Sequence, residues 1–205
     1  MMKCKILLAL LFCTIANSHY SFAQTLQYAS VIIGQEPNGV FSFTKNWAYP
    51  WDVVKDDNGN FSKAEDGKIT SKDTVHLYFT ANCKTNVQGS YSIRYCYATK
   101  KAGNIKLNFS DGLPAYASKF DFNIEKDRFS FNPNLIYPEI VLGEKRSCRV
   151  IKSKLILYQK NYTISKKVSG YIDAEFIETT SVAGKKPESH KYYFRGYFKT
   201  PVKSS

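Results

Sequence analysis

Residues 167–179, KVSGYIDAEFIET, and residues 191–200, KYYFRGYFKT, decide how the rest of the chain is read. In the first, Val168, Gly170, Ile172, Ala174 and Phe176 share one parity, and Tyr171, Asp173 and Glu175 share the other. In the second, Tyr192, Phe194, Gly196 and Phe198 alternate with Lys191, Tyr193, Arg195, Tyr197 and Lys199. Successive side chains of a strand point to opposite faces, so alternation of this length predicts two half-buried strands. Residues 181–189 between them hold Gly184 and Pro187 beside Lys185 and Lys186, a solvated loop, which makes the two strands antiparallel neighbours. Setting Phe176 opposite Phe194 places Glu175 across from Arg195 and Asp173 across from Tyr197. A slip of two residues places Asp173 across from Arg195 instead. Either register pairs opposite charges on the outer face, for about 0.2–1 kcal/mol per pair. Asp173 and Glu175 would stand on that face about 6.5–7 Å apart, a spacing open to a pair of catalytic carboxylates. The surrounding cations lower a carboxyl pKa where a general acid needs it raised, so charge neutralisation is the reading adopted.

The same alternation runs through most of the chain. Strands are expected at residues 26–33 and 40–44, divided by Gly34 and the turn Glu36-Pro37-Asn38-Gly39. Residues 46–54 contain Pro50, which limits them to an edge or an irregular segment. Residues 55–72 are polar and rich in turn signals, with a short helix around 60–66 as the best helical candidate. Further strands are expected at 74–81, with Val75, Leu77 and Phe79 inward, and at 90–98, with Tyr91, Ile93, Tyr95 and Tyr97 on one face. Others follow at 105–109, around Phe120, Phe122 and Ile124, and around Phe129 and Phe131. Residues 132–143, with Pro133 and Pro138, read as a long connection. Residues 149–158 resume strand character with Ile151, Leu155 and Leu157 on one parity. Many short strands without a helical period predict an all-β fold: an antiparallel β-sandwich of jelly-roll or immunoglobulin-like type, or, as the alternative, a calycin-like β-barrel.

Lys3 and Lys5, the apolar run from Ile6 to Ile15 and the small-x-small site Ser21-Phe22-Ala23 predict a secretory signal peptide over residues 1–23. That run is shorter than the roughly 20 apolar residues of a membrane span. The ending Phe22-Ala23-Gln24 resembles signal peptides of the Bacteroidetes type. The expected product is a single β-rich domain, residues 24–205, without a membrane span. It would be exported by a bacterium to the periplasm, the cell surface or the medium. Cys83, Cys96 and Cys148 would remain. In an oxidising compartment one disulfide is expected, Cys96 with Cys148 or Cys83 with Cys148. No two cysteines stand at metal-knuckle spacing, so no metal site is assigned.

Charge is uneven. From Gln24 to Glu144, 13 basic residues balance 13 acidic ones; from Lys145 onward 14 basic residues face 4 acidic ones. Lys152, Lys154, Lys191, Arg195 and Lys199 fall at alternate positions of strands, with Tyr193 and Tyr197 between the cations. Such a face attracts polyanions, and the tyrosines could serve as stacking platforms. A lysine-rich solvated face is the simpler reading, because lysine lacks the bidentate fork of arginine. Export argues against nucleic acid as the partner.

No Gly-x-Ser-x-Gly, His-Glu-x-x-His or phosphate-binding loop is present, so no catalytic residue and no cofactor is assigned. Asp56, Asn58, Gly59 and Glu65 approximate a calcium loop, but Val54 occupies the first ligand position and a polar turn fits better. Trp47, Tyr49 and Trp51 share a parity and could form a platform for sugar rings, or cap one end of the core. The expected function is therefore a non-catalytic binding or surface-associated domain for a glycan, an anionic surface or a protein. A lipocalin-like carrier of an apolar ligand and a carboxylate-dependent hydrolase are the alternatives.

Overall fold

The computed structural model describes residues 27–64, 69–111, 118–137 and 142–205; the expected signal peptide lies outside them. The decisive stretch forms the two longest strands, β12 (Lys167–Ser181) and β13 (Glu188–Ser204), paired antiparallel. The register is the slipped one: Asp173 faces Arg195, Ala174 faces Phe194 and Glu175 faces Tyr193. A third strand, β5 (Ala81–Thr85), runs along the other side of β13 and places Gly196 opposite Cys83. Gly196 has φ +149°, and a Cβ there would sit 2.2 Å from the Asn82 carbonyl oxygen and 2.5 Å from the Cys83 Cα. Only glycine tolerates that approach, so β5 crosses β13 where Gly196 permits it.

Past this crossing, β13 changes neighbours. Its end, Val202–Ser204, pairs in parallel with β7 (Tyr95–Lys101), while β6 (Tyr91–Ile93) pairs with β5. From β7 the sheet continues as an antiparallel meander through β8 (Asn104–Ser110), β9 (Lys119–Glu125) and β10 (Arg128–Asn134). Ala102 and Gly103 join β7 to β8 with positive φ at both positions, the backbone of a primed hairpin turn. On its far side β12 pairs with β11 (Lys145–Leu157). The N-terminal segment then bridges the two ends of the sheet: β1 (Tyr28–Ser30) pairs with β10, and two residues on, β2 (Ile32–Ile33) pairs in parallel with β11. The result is one large mixed sheet of eleven strands that curls nearly into a barrel. The expected all-antiparallel two-sheet sandwich is not what forms, because β13 and the β1–β2 segment each belong to both walls.

The inward parities meet in a core of phenylalanine. Phe120 of β9 stacks on Phe194 of β13, with centroids 4.3 Å and planes 4° apart, and Phe122 stacks on Phe131 at 4.7 Å. Phe109, Phe176 and Phe198 are fully buried around them. Each such ring contributes about 1.5–3 kcal/mol by leaving water. Among the described residues no helix is long and apolar enough to cross a membrane.

Several local expectations are corrected. Residues 40–44 form turns and a 3-10 helix, Ser42–Lys45, with Phe43 alone buried. Of the expected strand 74–81, Thr74 ends a helical turn, residues 75–80 are turns and irregular chain with a single β-bridge between Trp47 and Tyr78, and the strand begins only at Ala81. Residues 61–63 of the expected helix are instead the strand β4 (Phe61–Lys63), which pairs with β3 (Val53–Lys55). Among the described residues the one α-helical turn lies at Ser71–Thr74. Asn132–Asn134 still belong to β10, and Pro133 is tolerated there because β1 ends opposite Ser130. Ile151 is exposed while Leu155 and Leu157 are buried. A β-bulge between Val150 and Lys152 inserts one residue and flips the parity.

Among the described residues Cys83, Cys96 and Cys148 form no disulfide with one another. Cys148 lies opposite Glu178, and Cys83 lies opposite Gly196 on the far side of two intervening strands. The Cys96 carbonyl accepts a hydrogen bond from the Thr200 hydroxyl, ten residues along β13 from His190, the neighbour of Glu178. At about 3.3 Å per residue that separates Cys96 from Cys148 by roughly 30 Å, where a disulfide needs Cα atoms within about 7 Å. Neither expected bridge can form in this fold.

Candidate functional site

Outside the curled sheet, residues 46–64 and 69–80 form a flap of short elements. The Asp56 carboxylate shapes the β3–β4 turn by accepting from the backbone N–H of Asn58 at 3.0 Å and of Asn60 at 2.7 Å. The bond from Asn60 is the main cause holding the Asp56 pKa below the usual carboxylate value. The near-calcium motif is thus a polar turn closed on itself; its Glu65 lies outside the described residues. The Tyr95 hydroxyl reaches from the barrel to donate to the Ala48 carbonyl at 2.8 Å. Ala48 N–H donates to the Leu77 carbonyl, and Phe79 N–H to that of Asn46. At the end of the flap, Arg94 holds Asp111 through two guanidinium bonds of 2.6 and 2.9 Å, and its carbonyl accepts from Thr80 and Ala81.

These tethers turn the flap's aromatic side chains to solvent. Trp47 is 51% exposed and Tyr78, across the bridge from it, 52%. Trp47 meets Tyr49 edge-on with centroids 5.2 Å apart, and Tyr49 meets Phe61 at 5.1 Å. Lys55 Nζ lies 5.6 Å from the centre of the Phe61 ring. Tyr78, Trp47, Tyr49 and Phe61 therefore form a continuous exposed ledge. Two of the three residues expected in a platform, Trp47 and Tyr49, are brought together. Trp51 is exposed but joins no ring pair among the described residues. Sequence reasoning missed Phe61, a lone apolar residue in a polar stretch, and Tyr78, whose parity opposite Leu77 and Phe79 was the available signal.

Beneath the flap, the His76 ring packs on Tyr97 at 4.1 Å, and its Nε2 lies 2.9 Å from Lys203 Nζ. Its Nδ1 is buried without a hydrogen-bond partner among the described residues. Burial, and then the positive Lys203, lower the His76 pKa to about 4; Asp73 opposes this and Lys63 adds to it. The ring is neutral at pH 7 and accepts from the ammonium.

The expected cationic residues do share the outer face of β11, β12 and β13. Lys154, Asp173 and Arg195 stand in one row, and Lys152, Glu175 and Tyr193 in the next. Asp173 lies 2.6 Å from Lys152 and 3.6 Å from Arg195. Glu175 lies 2.7 Å from Lys191 and 3.4 Å from Arg195. Lys191 is the leading cause lowering the Glu175 pKa. Lys199 pairs with Glu36 at 2.9 Å and covers the Phe41 ring. The tyrosines are occupied too: Arg195 caps Tyr193 at 4.5 Å, and Tyr197 packs on Tyr171 at 4.9 Å. Of the five expected cations, only Lys154 has no carboxylate partner among the described residues.

At the mouth of the barrel, Glu178 is 2% exposed and accepts a 2.5 Å hydrogen bond from the Tyr137 hydroxyl. Arg146 lies over the Tyr137 ring, 2.6 Å from Glu144 and 3.6 Å from Glu178. Burial, helped by Glu178, pushes the Cys148 pKa up to about 11, so it is a thiol at neutral pH and a poor nucleophile. No group of three or more His, Cys, Asp or Glu among the described residues has the geometry to hold a metal. Compared with protein-family models, with curated proteins and with solved structures, the chain matches none.

Proposed function

We propose that this chain is an exported, non-catalytic binding domain of calycin-like barrel form whose aromatic ledge takes the sugar rings of a glycan. The observation that supports it is the exposure of Trp47, Tyr49, Phe61 and Tyr78 in one run, in a chain that buries most of its phenylalanines. Large rings left in water forgo burial worth about 25 cal/mol per Å², and contiguous exposed apolar surface marks a contact site. Flat aromatic faces suit the C–H faces of pyranose rings, and Tyr49 and Tyr78 add hydroxyl groups at the rim. The carrier alternative meets a barrel axis filled by the Phe120–Phe194 stack. The hydrolase alternative meets an Asp173 and a Glu175 already engaged by cations. The test is a glycan and lipid screen of the mature protein at two salt concentrations, read by tryptophan fluorescence. Glycan binding that survives high salt and falls with Trp47→Ala supports the ledge. Binding that vanishes with salt moves the site to the cationic face, and binding indifferent to Trp47→Ala and Trp51→Ala overturns the proposal.

A further inference from the structure

The strand β11 is paired along its whole length on one side, from Lys145 opposite Ser181 to Leu157 opposite Gly170. On its other side, among the described residues, only Ile156 and Leu157 are paired, with β2. Among the described residues, 145–155 are therefore hydrogen-bonded to no strand on that side, although β10 and β1 pass close to part of it. An unpaired edge of that length is a ready template for another strand. Beneath it the core is already sealed, since Phe131 from one wall meets Phe176 from the other at 5.9 Å. What the edge offers is backbone donors and acceptors, without any need to open the interior.

Its chemistry selects the occupant. The strand carries Lys145, Arg146, Arg149, Lys152 and Lys154 and no carboxylate. Lys145, Arg149 and Lys154 are exposed and have no acidic partner among the described residues. Up to the bulge Lys145, Ser147 and Arg149 point outward; after it Lys152 and Lys154 do, so the bulge keeps the basic stripe on one face. Residues two apart on a strand stand about 6.5–7 Å apart, the same period as alternate residues of an incoming strand. A second copy pairing β11 to β11 would set these cations against one another, which is unfavourable. We propose that the free edge of β11 is a docking site for an extended acidic segment of a partner polypeptide, which joins the sheet as a further strand with Asp or Glu at alternate positions. The bulge and the lysines that keep like edges away are the features that admit an acidic one. This surface is separate from the aromatic ledge, and its failure would leave the glycan reading untouched.

The experiment uses the full mature chain with two synthetic peptides, one alternating Asp or Glu with Val, the other alternating Lys with Val. Binding is read by fluorescence polarisation, and the bonded backbone by amide hydrogen exchange. The expected result is salt-sensitive binding of the acidic peptide alone, weakened about tenfold by Arg149→Glu or Lys154→Glu, with slowed exchange confined to 145–155. Lys154→Gln, with a milder loss and an unchanged unfolding temperature, separates lost charge from lost folding. Slow exchange of every β11 amide in the free protein would overturn the proposal, because the edge would already be covered. So would equal binding of both peptides, a dimer that protects 145–155, or a sulfated polysaccharide that displaces the peptide while no peptide-induced protection is seen.

Discussion

The wall of β12 and β13 and the flap of residues 46–64 and 69–80 treat aromatic residues in opposite ways. In the wall, Phe176, Phe194 and Phe198 are fully buried and the outward groups are salt-bridged. In the flap, Trp47, Tyr49, Phe61 and Tyr78 face water while the anchoring is done by polar groups: the Tyr95 hydroxyl, the His76–Lys203 contact and the Arg94–Asp111 pair. Apolar burial is thus concentrated in one region and exposed aromatic surface in the other. A loss in one need not be a loss in the other.

The sharpest way to break this division is Phe194→Ala, which empties the centre of the ring stack. It should cost about 3–5 kcal/mol in urea unfolding and release wall and flap together. Gly196→Ala comes next: its Cβ would clash with backbone of β5, for about 3 kcal/mol. If it costs nothing, the crossing is looser than the geometry indicates. The flap should respond to acid before the wall. The His76 pKa is depressed in the folded state, so the unfolded chain binds the proton first as pH falls below its ordinary 6.5. Stability is therefore complete above that value and is lost as pH drops towards about 4. The loss should be about 2–3 kcal/mol, and His76→Phe should flatten the slope between pH 7 and 4.5. Trp47→Ala should have the smallest effect on stability, within about 0.5 kcal/mol, because its ring is half exposed. It should nevertheless remove most glycan binding.

The wall was legible because half-buried strands write their two faces into alternate residues, as Val168 to Phe176 do. Its register was not, since the two charge pairings of Asp173 and Glu175 with Arg195 are nearly equivalent. Ile151 was misplaced because a bulge reverses parity without changing composition. The flap was the least legible region, because elements of three or four residues held by single side chains have no period to detect. Trp47 and Tyr49 were found because they share a parity, whereas Phe61 reaches the ledge only through the β3–β4 hairpin.

The strand β13 touches β12, β5 and β7, and all three precede it in the chain. A polypeptide emerging from its N-terminus, from a ribosome or through a translocation channel, presents its partners first and the strand that joins them afterwards. Until residues 188–204 arrive, β5, β7 and β12 have no common neighbour, and the many contacts between distant parts of the sequence favour slow assembly. Chains cut before residue 188 should therefore accumulate as aggregation-prone intermediates, while the complete chain folds once, late and as a unit.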